Sequence, residues 1–191
     1  MNTPNYYLLT NEQIDKIGNA MIFLSQEIAK LSKTKMLKLL YVLDELSINR
    51  SGVPFFNLQY KMWKLGPVAE SIFIELSDKL FRLEKYIDTK AENNSVYICP
   101  KTDFCDDEFS DNDIELLSLV AEQFKDTTAK ELIDYTHRPN GLWHNTAVAY
   151  GLLEQFESGM IGNTDIIIDM GELVQHDERK RSIYKQYIEE N

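Results

Sequence analysis

The chain has 191 residues, 43% hydrophobic and 27% charged, with eight glycines and five prolines, enough apolar material for one buried core and no collagen-like or low-complexity character. Two cysteines, Cys99 and Cys105, cannot build the framework of a disulfide-stapled secreted domain and read as reduced thiols. The net charge of −11 lies in the second half, since residues 1–100 hold 12 Lys+Arg against 11 Asp+Glu and residues 101–191 hold 8 against 20, which disfavours nucleic acid and suits a basic protein partner.

Thr10, with Gln13 in capping-box register, predicts a helix over about 11–30 whose inward face carries Ile14, Ile17, Met21 and Leu24. Ser32 predicts the cap of a second helix over 33–49, closed by Gly52 and Pro54. Residues 58–63 read as extended, and Gly66-Pro67 as a turn with Pro67 in the first turn of a helix reaching Leu80. Alternating stretches at 84–88 and 95–99 predict a β-hairpin around residues 90–94. Residues 101–110 form an acidic connector, followed by helices at 111–125 and 128–136 and a break at Arg138-Pro139-Asn140-Gly141. Residues 142–156 read as helix. Ile166-Ile167-Ile168 fits either a strand or a buried helical turn, and residues 176–190 a polar helix. The fold expected is mainly α (α+β): a single multi-helix domain with a small antiparallel β element of two or three strands.

No apolar run reaches the roughly 18 to 20 residues of a membrane span, and the opening residues show no basic start followed by an apolar stretch. A cytoplasmic protein without membrane contact is expected. Cys99, Cys105, His137 and His144 do not have the ligand spacing of a zinc site. The carboxylates of Asp103, Asp106, Asp107, Glu108, Asp111 and Asp113 lack an EF-hand register and read as a solvated connector favouring the next helix N-terminus. Neither G-x-S-x-G nor a phosphate-binding glycine loop is present. No catalytic residue, metal or cofactor is therefore expected, and the chain reads as a non-enzyme. Lys30, Lys33, Lys35 and Lys38 read as a solvated face around the first helix junction. A DNA-reading pair of helices over 11–49 would be longer than helix-turn-helix elements usually are.

Several motifs occur together in a fixed order. Lys38, Leu39, Leu40 and Tyr41 lie on the second helix, followed by Trp63, Gly66, Pro67 and Val68; then come Asp113, Ile114 and Glu115, and finally Glu131, Leu132, Thr136, His137 and Trp143. In this order the chain resembles the Panacea domain, the SocA-like antitoxin family of bacteria, prophages and phages. The resemblance implies a Panacea domain over 1–150 and a C-terminal helical extension over 151–191 packed on the same domain. It further implies an antitoxin of a bacterial or prophage toxin–antitoxin pair that neutralises a cognate protein toxin by direct binding, or that presents it to a protease as an adaptor. The alternative is a transcriptional regulator reading DNA through its first two helices. The candidate partner-binding residues are Tyr60, Lys61, Trp63, Lys64, Gly66, Pro67, Glu70, His137 and Trp143, with Tyr60, Lys61, Lys64 and Glu70 expected to be exposed.

Overall fold

The computed structural model describes residues 9–190; residues 1–8, part of the start read for a secretion signal, and residue 191 lie outside the described residues. In chain order the elements are α1 (Asn11–Glu27), α2 (Lys33–Ser51), β1 (Lys61–Trp63), β2 (Gly66–Val68), α3 (Glu70–Ser77), β3 (Ile87–Glu92) and β4 (Ser95–Pro100). They continue with α4 (Asp111–Phe124), α5 (Ala129–Thr136), α6 (Leu142–Ala149), α7 (Leu153–Glu157), β5 (Asn163–Ile167), a 3-10 turn at Met170–Val174 and α8 (Glu178–Glu190). The architecture is mainly α with two small antiparallel sheets. The chain divides into two compact units. One comprises the described residues up to Leu37 with Glu70–Thr127; the other comprises Lys38–Ala69 with the described residues from Thr128 onward.

In the first unit, hydrogen bonds fix the helix starts. Thr10 accepts from the Gln13 amide while the Gln13 side chain accepts from the Thr10 amide, and Ser110 and Asp113 repeat the exchange at α4. Ile14, Ile17, Met21 and Leu24 of α1 are buried. The β3–β4 hairpin pairs Ile87 with Pro100 through to Glu92 with Ser95. Its strands run through residues 90–92, which the sequence reading placed in the turn. The turn is only Asn93-Asn94, both at positive φ (49° and 61°), where asparagine is among the better tolerated residues.

In the second unit, β1 is the middle strand of the order β2-β1-β5. Trp63 pairs with Gly66, so Lys64 and Leu65 are the tip of a tight hairpin. Pro67 therefore lies in strand β2, opposite Met62, and not in a helix as expected; the helix begins at Glu70. Gly66, at φ +100°, permits the reversal that makes Pro67 a strand residue. Residues 163–167 resolve the open alternative in favour of a strand, which pairs with β1 across about a hundred residues of sequence. Two bonds secure it: Thr164 Oγ1 donates to the Met62 carbonyl at 2.7 Å, and the Ile168 amide donates to the Tyr60 carbonyl at 2.9 Å. The helix expected over 142–156 is broken into α6 and α7, with Gly151 at φ +64° between them.

Residues 35–45 of α2 are all buried, including Lys35, Lys38, Asp44 and Glu45. This corrects the reading of Lys35 and Lys38 as solvated. A lysine stem is long enough for its ammonium to reach a carbonyl: Lys35 Nζ donates to the Lys125 carbonyl at 3.0 Å, and Lys38 Nζ to the Pro67 carbonyl at 2.8 Å. Asp44 accepts from the amides of Phe56, Asn57 and Leu58 and from the Tyr60 hydroxyl. Burial raises its carboxyl pKa, against the pull of those donors. Tyr60 is thus wholly buried, which corrects its expected exposure; its ring meets Tyr41 edge to face at 5.2 Å.

Candidate functional site

Most of the motif residues converge in the second unit, whereas Asp113, Ile114 and Glu115 lie on α4 of the first. Lys38 on α2 holds Pro67 of β2, and Gly66 leaves no space between them and α5: a Cβ there would sit 2.7 Å from Thr136 Oγ1 and 3.1 Å from Lys38 Nζ. Burial pushes the Lys38 ammonium pKa down to about 7. At the end of α5, capped by Thr128 and Glu131 in a third capping box, His137 lies flat on the Trp143 indole, with centroids 3.6 Å apart. Trp143 stacks in turn on Phe156 at 5.7 Å and donates its indole N–H to the Trp63 carbonyl at 2.9 Å. Burial holds His137 near pKa 4, helped by the nearby Lys38 charge, so the ring is neutral at ordinary pH. Beside it, Arg138 pairs with buried Glu45 Oε1 at 2.9 Å, which also accepts from the Tyr41 hydroxyl.

Over this framework runs a groove of about 400 Å³. It is lined by Lys64 and Leu65 of the hairpin tip, Ile133 of α5 and His137 just after it, Trp143 and His144 of α6, and Leu153, Phe156 and Glu157 of α7. Its lining is largely apolar. Leu65 is 55% exposed at its edge, and Met160, 76% exposed, lies on the loop whose Gly162 carbonyl receives the Lys64 amide. Exposed apolar side chains grouped around a concave apolar surface are a feature of interaction sites. His137 Nε2 and His144 Nδ1 are buried without a hydrogen-bond partner, each a cost of about 1–3 kcal/mol. Among the described residues no group of three or more His, Cys, Asp or Glu side chains gathers to hold a metal ion.

Of the nine candidate residues, the groove gathers Lys64, His137 and Trp143. Trp63 is joined to it through its carbonyl. Gly66 and Pro67 are buried behind it, and Tyr60 belongs to the Asp44 network. Lys61 pairs with Asp165 at 2.7 Å on the sheet, and half-buried Glu70 opens α3 in the other unit. The sequence reading missed Leu65, Ile133, Leu153, Phe156 and Glu157. Leu65 carried a signal: a large apolar residue at a turn tip, where polar residues prevail.

No curated protein and no solved structure matches the chain. A family model described as "Antitoxin SocA-like, Panacea domain" matches residues 36–144, which hold the α2 lysine, the β1–β2 hairpin, α5 and the His137–Trp143 stack. The chain belongs to that SocA-like antitoxin family with its Panacea domain.

Proposed function

We propose that this chain neutralises a cognate protein toxin by direct binding and carries out no catalysis itself. Membership of the antitoxin family over residues 36–144 carries this reading, and the exposed apolar edge of the groove supports it, because protein partners cover such surface. The acidic second half favours a basic toxin, whose approach it would accelerate. Direct inhibition is preferred to delivery to a protease, because it asks this chain for one partner surface and delivery asks for two.

Co-expression with the product of the adjacent gene tests the reading. Growth rescue together with a stoichiometric complex is the expected result. Rescue that disappears in a protease-deficient strain would assign the adaptor mechanism instead. A harmless neighbour that forms no complex would overturn the antitoxin role for that pair.

A further inference from the structure

The groove has a polarity its apolar floor does not explain. Among the described residues, Lys64 is the only Lys or Arg that lines it, Glu157 is the only acidic side chain, and neither has an ion-pair partner. The ammonium comes from the hairpin tip and the carboxylate from α7, with Leu65, Leu153 and Phe156 lining the space they share. A complementary occupant brings an apolar side chain together with one acidic and one basic group. The groove is open and Leu65, which lines it, is 55% exposed, so it fits a side chain presented by a protein better than an enclosed small molecule.

The match to the family model ends at residue 144, so Lys64, Leu65, His137 and Trp143 lie inside it and Leu153, Phe156 and Glu157 outside it. Part of the lining thus comes from residues of the family domain and part from residues beyond the match. Resting on the antitoxin reading, we propose that the toxin docks here through an extended segment. That segment seats a large apolar side chain against Leu65 and Phe156, lays an acidic residue on Lys64 and a basic residue on Glu157, and is selected by the α7 residues.

The test uses the full chain and the product of the adjacent gene, with affinity measured for Leu65→Asp, Lys64→Glu, Glu157→Lys and the control Phe81→Ser. Phe81 is 83% exposed and lies in the other unit, outside the groove. Thermal melts confirm that each variant is folded. Leu65→Asp is expected to weaken binding by about tenfold or more, as for a truncated or charged anchor residue. Lys64→Glu and Glu157→Lys are expected to weaken it less, by an amount that shrinks in high salt, and Phe81→Ser to leave it unchanged. A wild-type complex that tolerates all three groove variants overturns the groove and leaves the antitoxin role standing. Absence of any wild-type complex overturns both. A wild-type dimer of this chain that Leu65→Asp dissociates would give the groove to a second copy and overturn the toxin as its occupant.

Discussion

The indole N–H of Trp143 donates to the main-chain carbonyl of Trp63 at 2.9 Å, tying α6 to the strand that carries the hairpin tip. The acceptor is backbone, so the bond needs the Trp143 side chain and only the position of Trp63. Trp143→Phe keeps an aromatic ring beside His137 and Phe156 but removes the indole donor to that carbonyl. The expected cost is about 1–2 kcal/mol, read as a lower urea midpoint with an unchanged slope. Trp63→Phe leaves this bond in place and serves as the comparison. Equal losses in the two variants would mean that ring packing, not the bond, governs the corner.

Gly66 is strained by any side chain twice over. Its φ of +100° is poorly tolerated by other residues, and an added Cβ would lie 2.7 Å from Thr136 Oγ1. Gly66→Ala should therefore destabilise by about 2 kcal/mol or more. Gly162→Ala provides the contrast, because a Cβ there meets nothing within 4 Å; it should be neutral or slightly stabilising through the unfolded chain. Chemical denaturation of both variants decides the matter, and a neutral Gly66→Ala would contradict the close packing of β2 on α5.

The sequence made much of this legible, and the gaps have physical causes. The helix start at Thr10 was readable because a capping box is local chemistry, complete within one turn. The pairing of β5 with β1 was not readable: Lys61 and Ile167 meet only in the folded chain, and a three-residue strand leaves almost no periodic signal. The α2 lysines were misread because helix periodicity expects a polar face to be wet, whereas residues 35–45 are buried throughout. The candidate site was partly legible. His137 and Trp143 carried motif signals and Lys64 lies between the motif residues Trp63 and Gly66, while the stretch from Leu153 to Glu157 lies past the break at Gly151, where the sequence pointed to an unbroken helix.

Lys38 makes stability depend on alkaline pH. Its folded pKa of about 7 lies below the ordinary 10.5 because burial penalises the charged amine. Between those values the unfolded chain binds more protons, so stability rises with pH across that window and is lowest, for this group, below about pH 7. Each pH unit in the window contributes about 1.4 kcal/mol at most. Lys38→Met removes the titration, although it also strands the Pro67 carbonyl. The stability of the natural chain minus that of Lys38→Met should therefore climb from pH 7 toward pH 10, as measured by parallel urea titrations. A difference that stays flat would show the ammonium to be well compensated where it lies.

His137 acts in a separate, acidic window. Burial and the Lys38 charge hold its folded pKa near 4, below the ordinary 6.5. Above pH 6.5 the ring is neutral in both states and nothing is lost. As the pH falls from 6.5 toward 4 the unfolded chain takes up the proton first, so this contribution to stability is lost progressively. His137→Phe keeps a ring against the indole and removes the proton site, so its stability should decline less across that interval than that of the natural chain. Proton NMR of the imidazole checks the premise directly: a titration midpoint near 4 supports it. A midpoint near 6.5 would mean that solvent reaches the ring and that the His137–Trp143 corner opens freely, a result that would also remove the fixed lining the groove needs there.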